Sequence, residues 1–263
     1  MEIRFLGTGS SGGVPLIGCS CDVCTSKNSK NKRLRPSILI SESNLRILID
    51  VSPDFRAQML GINFNKEFDA ILVTHSHNDH IGGIDDLRYI TKSSRNSIEL
   101  FTNQRTADEI NDRYSYMFKK RVKDYVSFLP YINIHITENF KPFFTKGKIE
   151  VLPLPVMHGK DEITAYRIGK TAYVTDCNYI PPETAEHLHG LDLLILDCLN
   201  ETKPNLIHFD LEEALKFVEQ IKPKQTYLTH ISHRLEHNTI NQKIKTLTKR
   251  KVKLAYDGLV IEV

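Results

Sequence analysis

Within ten residues, "THSHNDHIGG" (Thr74–Gly83) gathers His75, His77, Asp79 and His80 directly after the apolar run "AILV". Imidazoles and carboxylates at the end of a strand are the donor set of a metal site that generates hydroxide. His75 and His77 stand two apart on an extended segment, so both side chains point the same way. Asp79 and His80 follow where the chain turns, and Gly82 and Gly83 supply the lack of bulk that a tight strand-to-helix turn needs. The spacing is not the H-x-x-x-H of a helical zinc protease. It suits two neighbouring metals. His158, ending "VLPLPVMH", would complete one; His230, ending "QTYLTH", would complete the other; Asp176, ending "TAYVTD", could bridge them. Two ions roughly 3.5–4 Å apart would hold a hydroxide between them and clamp the oxygens of an in-line displacement. An isolated H-x-H reads as a solvated loop. Four strand ends that all choose His or Asp form a pattern.

A second donor set lies upstream. Cys19, Cys21 and Cys24 form C-x-C-x-x-C, three thiols on one tight loop. A closed zinc site takes four N or S ligands, and the better fourth is His233 in "THISHRLEH", three residues beyond His230. Cys177 and Cys198 each follow a strand-end Asp and point to the opposite face, so both read as packing residues.

The elements that must position these groups are short apolar strands separated by helical patterns. "EIRFLG", "SILIS", "LRILID", "AILVTH", "IELFT", "IEVLPLPVMH", "TAYVTD", "LDLLILD" and "QTYLTH" read as strands. Thr106 to Phe118 reads as a helix with Ile110, Tyr114, Met117 and Phe118 on one face. A further helix starts at Asp210 with a capping box to Glu213 and stops before Pro223. Asp257-Gly258, between apolar runs near the end, predicts a hairpin. The fold class is α/β with predominantly buried sheets. In such folds a site assembles at the carboxyl ends of strands. No linker or repeat divides the 263 residues, so a single domain over 1–263 with a small zinc loop near 19–24 is expected.

The composition is that of an ordinary globular protein, 40% hydrophobic and 25% charged. A formal charge of +3 does not argue for a dedicated nucleic-acid binder, and no window approaches a membrane span. The start of the chain is broken by glycines and shows no signal-peptide core, so a cytoplasmic location is expected. Five cysteines there suggest metal ligation rather than a disulfide framework.

"THSHNDHIGG" resembles the H-x-H-x-D-H signature of the metallo-β-lactamase superfamily, whose fold is an αβ/βα sandwich with a dinuclear site at one edge. The resemblance implies His75, His77 and His158 on one metal, and Asp79, His80 and His230 on the other, with Asp176 between them. Asn78 stands where the iron redox branch has a Glu ligand, which favours hydrolysis. His80 stands where common β-lactamases carry another residue, which disfavours antibiotic hydrolysis. "GTGSSGGVPLIGCSCDVC", "THISH" and "YDG" together resemble the PhnP-type cyclic phosphodiesterases of the carbon–phosphorus lyase pathway. PqqB-type proteins of pyrroloquinoline quinone biosynthesis share the cysteine motif. An arm of the kind that tRNase Z nucleases use to grip tRNA is not evident.

Weaker signals complete the reading. His208, ahead of the capped helix, reads either as a cap or as a general acid for the leaving oxygen, a task suited to imidazole. The resemblance implies the second role, so His208 and Asp79 are the catalytic candidates. Asp50 and Asp197 read as caps or as partners behind the ligands rather than as ligands. His135 reads as the solvent-facing member of a strand, and His187, His189 and His237 carry no assigned role. "SKNSKNKRLR" and "KKRVK" read as solvated basic loops, the first of which could attract an anionic substrate.

The expected function is a dinuclear metal-dependent phosphodiesterase acting on a small cyclic phosphate. The alternatives are a PqqB-like metal-binding or carrier protein, a tRNase Z-like nuclease, and a carboxyl-ester or lactone hydrolase. The expected cofactors are two divalent metals, Zn or Mn, in the His/Asp set and one structural Zn on the thiolate loop. The expected partner is a small anionic phosphodiester, with no stable nucleic-acid partner and no membrane; a homodimer is left open.

Overall fold

The computed structural model describes residues 1–90, 97–118, 132–146, 148–202 and 207–263. The basic run Lys119 to Lys123 lies outside them. Fourteen strands follow in order among the described residues: β1 (Glu2–Gly7), β2 (Ser37–Glu42), β3 (Leu45–Ile49), β4 (Ala70–Leu72), β5 (Ile98–Thr102), β6 (Ile132–Ile136) and β7 (Phe143–Thr145); then β8 (Ile149–His158), β9 (Asp161–Ile168), β10 (Thr171–Val174), β11 (Leu193–Asp197), β12 (Gln225–Thr229), β13 (Val252–Leu254) and β14 (Val260–Glu262). They form two mixed sheets, ordered β14-β1-β2-β3-β4-β5-β6 and β13-β12-β11-β10-β9-β8-β7.

Alternation along the strands explains the layers. In β3, Ile47 and Ile49 enter a core shared by both sheets, whereas Leu48 faces the core under the first sheet's helices. In β11, Leu193 and Ile195 enter the shared core, whereas Leu194 and Leu196 face the helices of the second sheet. Strands covered on both faces need near-continuous apolar runs, which is how these segments read. The result is the αβ/βα sandwich. Parallel pairing of β3-β4-β5 and of β10-β11-β12 brings their carboxyl ends to one edge.

The helix Leu211–Ile221 carries the expected capping box: Asp210 accepts from the Glu213 N–H, and the Glu213 carboxylate accepts from the Asp210 N–H. It ends at Lys222 in the left-handed region, before Pro223. Three expectations need correction. The helix expected over 106–118 starts earlier and divides at Tyr114, giving Gln104–Arg113 and Ser115–Phe118. Asn103 caps it by accepting from the Thr106 N–H, and the Tyr114 hydroxyl donates to the Ile81 carbonyl at 2.7 Å, which anchors the break. Asp257-Gly258 does not close a hairpin, because β13 and β14 belong to different sheets. The Asp257 carboxylate accepts from the Thr8 hydroxyl (2.7 Å) and the Leu34 N–H (2.6 Å), so the turn carries the chain across the sandwich. The basic segment 27–35 is not wholly solvated. Arg33 is buried, donating to Thr8 Oγ1 and the Ala255 carbonyl at 2.7 Å each, with His237 Nδ1 3.1 Å away.

No helix among the described residues is long and apolar enough to cross a membrane.

Candidate metal centre

The carboxyl-edge residues converge. After β4 the chain continues extended through His75 and His77, then enters the short helix Asn78–Ile81 that carries Asp79 and His80. The close approach of this turn to its neighbours requires the two glycines. A Cβ at Gly83 would lie 2.2 Å from the Ser52 carbonyl oxygen, and one at Gly82 would lie 2.6 Å from that of Asn78. Three strand ends use a common device: Asp50 after β3, Asp176 after β10 and His230 after β12 all have positive φ, at 63°, 55° and 59°. Each such left-handed residue costs of order 1–3 kcal/mol. All three bring a carboxylate or imidazole into the site.

Two donor sets result, each with its ligand-type atoms within 4.8 Å of one another: His75, His77 and His158 in one, and Asp79, His80, Asp176 and His230 in the other. Asp176 lies between the two histidines of the second set, with Oδ1 3.3 Å from His80 Nε2 and Oδ2 3.0 Å from His230 Nε2. The ring orientations are fixed from behind. His80 Nδ1 is 2.8 Å from Asp50 Oδ2, His75 Nδ1 is 3.0 Å from the Thr74 hydroxyl, and His158 Nδ1 donates to the Ile207 carbonyl at 2.9 Å. Each ring thereby turns Nε2 inward. Asp50 thus lies behind His80, and Asp197 does the same for His208, with Oδ2 3.2 Å from its Nδ1, while Asp197 Oδ1 faces His230 Nδ1 at 3.6 Å without a hydrogen bond.

Buried Nε2 atoms of His75 and His80 have no hydrogen-bond partner. A buried polar atom left unpaired is costly, and a divalent cation is the partner this donor set fits. The carboxylates concentrate negative charge here. Burial opposes a charge on His80 and His230, yet Asp176 and its neighbouring carboxylates outweigh burial, lifting His80 well above the usual imidazole range and His230 to about 10. Burial likewise opposes ionisation of Asp176, but His230 and His80 hold it well below the usual carboxylate range. Burial, then the charge on His80, pushes His75 down and leaves it a neutral donor.

His208, buried, stacks on His230 with ring centroids 4.7 Å apart and lies 4.8 Å from the His158 ring. A ring nitrogen of His208, one of His158 and a carboxylate oxygen of Asp176 lie within 4.8 Å of one another. Cys19, Cys21, Cys24 and His233 also meet, with His233 Nδ1 3.3 Å from Cys19 Sγ and 3.5 Å from Cys21 Sγ. Cys177 and Cys198 are fully buried in the helix-side core. His135 is exposed and lies 2.5 Å from Glu99.

Two groups escaped the sequence reading. His237 is buried against Arg33, and only its place at the start of the helix His237–Leu247 hints at structure. The exposed His77 side opens on a small cleft, about 60 Å³, whose rim includes Arg105, Glu109 and Asp161. Arg105 pairs there with Asp161 at 2.5 Å. No local motif marks this rim, because its residues meet only through the fold.

A β-lactamase superfamily domain model matches residues 45–231. The chain belongs to the metallo-β-lactamase superfamily, a fold family of metal-dependent hydrolases. Within it the chain falls in the PhnP family: a crystal structure described as a new diphosphatase from that family superposes with TM-score 0.89 and 37% identity, over 100% of this chain and 96% of the other. An octanoyltransferase from Porphyromonas gingivalis is 36% identical over 98% of this chain, which spans about half (51%) of that relative's length. Zinc-bound PqqB from Methylobacterium extorquens shares the fold, with TM-score 0.81 and 17% identity over the full length of both chains.

Proposed function

We propose that the chain is a dinuclear metal-dependent phosphodiesterase that hydrolyses a small cyclic phosphate or a related phosphodiester. The observation that carries this reading is His208, held by Asp197 beside both donor sets. A site that only stores metal has no use for an extra imidazole there. Two divalent ions, Zn or Mn, held by the seven residues would supply Lewis acidity and a water of lowered pKa. His75, His77 and His158 would hold one and Asp79, His80 and His230 the other, with Asp176 as the carboxylate that would serve between them. The chain's own contribution is orientation and a proton. Asp50, Thr74 and the Ile207 carbonyl keep each Nε2 directed at the centre, so little reorganisation is left for the reaction. Asp197 accepts from His208 Nδ1–H, which leaves Nε2–H to protonate the departing oxygen. The thiolate loop would bind a third ion, Zn, with four protein ligands and no open position, a structural role. Thiols on such a loop suit a reducing compartment, which supports a cytoplasmic location.

The relative described as a diphosphatase supports chemistry at phosphorus. The PqqB-like carrier is the second reading, favoured by the shared fold. One experiment separates them: the metal-loaded chain is assayed against linear and cyclic phosphodiesters and a diphosphate. Turnover of a cyclic phosphate is expected. Full metal content without turnover of any member would overturn the hydrolytic reading.

A further inference from the structure

Away from the metal centre, a groove of about 720 Å³ opens at the flank where β12, β13 and the helix His237–Leu247 meet. Its lining includes Lys30, Lys245, Arg250, Lys251 and Lys253 and no carboxylate. Arg250 pairs with Glu219; the four lysines form no ion pair among the described residues. Its apolar part contains two half-buried tyrosines. Tyr227 stands opposite Lys253 in the ladder, and Tyr256 carries the Lys30 ammonium 4.5 Å over its ring.

Lysines on an edge strand guard against pairing with other chains, and that would account for Lys251 and Lys253. It does not account for Lys30, from a short 3-10 helix more than two hundred residues away, or Lys245, from an α-helix. Segments distant in sequence place unpaired cations around one aromatic floor in a chain whose formal charge is only +3. Like charges gathered without counter-charges repel, and a bound anion relieves that cost. The volume is that of a small-molecule site. Both tyrosine rings and Leu259 offer an apolar surface that a bare phosphate would not use.

We propose that this groove is a second ligand site for a free nucleoside di- or triphosphate, its phosphates on the lysines and its base against the tyrosine side. The groove is separate from the hydrolytic centre. It contains the start of β12, from Gln225, whereas His230 follows the end of that strand, roughly 17 Å along at the usual rise. The proposal is therefore independent of the phosphodiesterase reading.

The test titrates the metal-loaded full chain with ADP, pyrophosphate, a hexa-adenylate RNA and a polyglutamate peptide by calorimetry, alongside the exposed charge-reversal variants K251E/K253E and K245E. ADP should bind the wild type, pyrophosphate more weakly, and the double variant should lose roughly tenfold or more in ADP affinity. Hydrolysis of a chromogenic phosphodiester should be unchanged in both variants. Absence of ADP binding, or binding that both variants retain, would overturn the proposal; the second result places the nucleotide at the metal centre. Pyrophosphate as tight as ADP would reject the nucleotide. Tighter binding of hexa-adenylate or polyglutamate than of ADP would make the groove an RNA or acidic-protein surface instead.

Discussion

The molecule carries two donor clusters of different construction, both attached to the segment that follows β12. The His/Asp cluster draws on four strand-end regions, lies almost entirely buried, and depends on left-handed residues at Asp176 and His230. The thiolate cluster takes three ligands from six consecutive positions and one from His233, and Cys19, Cys21 and His233 are only half-buried. One thiol is prepared within the loop: the Cys24 N–H, and then His233, draw Cys21 down to about 6, whereas burial pushes Cys24 up although its Sγ accepts from the Leu16 N–H at 3.3 Å. The contrast fits the proposed division between a centre for chemistry and one for support. Four ligands that close on themselves leave no place for a substrate, whereas the His/Asp cluster stays open beside His77 and has His208 waiting at its side. Strain is spent where groups must be aimed, and a local loop suffices where an ion need only be held.

That contrast can be broken or sharpened by substitution. The largest effect is expected from Asp176→Ala, which should abolish turnover of a model phosphodiester while metal analysis still finds zinc on the thiolate loop. Near-wild-type turnover would remove the carboxylate from the machinery. His208→Ala comes next, lowering kcat on substrates with poor leaving groups by roughly 10²–10⁴, and much less on aryl leaving groups that depart unprotonated. Equal losses on both substrate types would mean that His208 positions rather than protonates.

His233→Ala should act on the other side of the contrast. One zinc per chain should be lost and thermal stability should fall, with metal retained in the His/Asp cluster and activity reduced only in part. Loss of all metal would show that the clusters assemble as one unit. Unchanged metal content would move the fourth ligand elsewhere.

The smallest effect concerns the strut of Arg33 and His237 beside the thiolate loop. Burial first, then the Arg33 guanidinium, pushes His237 down to about 4, so the folded protein holds it neutral. Below pH 6.5 the unfolded chain takes up a proton that the folded chain refuses. The contribution of His237 is thus present above pH 6.5 and is lost as pH falls towards 4. Asp257, raised to about 6 by burial, works the opposite way over nearly the same range. Denaturant midpoints of wild type and His237→Gln across pH 7 to 4 isolate the first effect, and the variant should show the flatter acid side. Parallel curves would mean that His237 titrates normally in the fold.

Much of the metal centre was legible because its chemistry is written in local order. H-x-H-x-D-H, the strand-end His158, Asp176 and His230, and C-x-C-x-x-C each occupy a few consecutive positions, and apolar runs announce the strands that carry them. Residue types with few alternative uses, set where a strand leaves the core, leave a trace in sequence. Other features depend on what lies opposite in space. Asp257-Gly258 has the composition of a hairpin turn, yet Thr8 and the Leu34 N–H draw it across the sandwich. Arg33 sits in a polar run, yet it is buried because Thr8, the Ala255 carbonyl and His237 converge on its guanidinium. The lysine groove joins residues 30, 245, 251 and 253 around two tyrosines with no shared motif. The sequence by itself determined which groups could bind metal and the class of sandwich that presents them. Tertiary structure alone decided which buried charges found partners and which surface cations were left together, because those energies depend on distances between segments that sequence order does not encode.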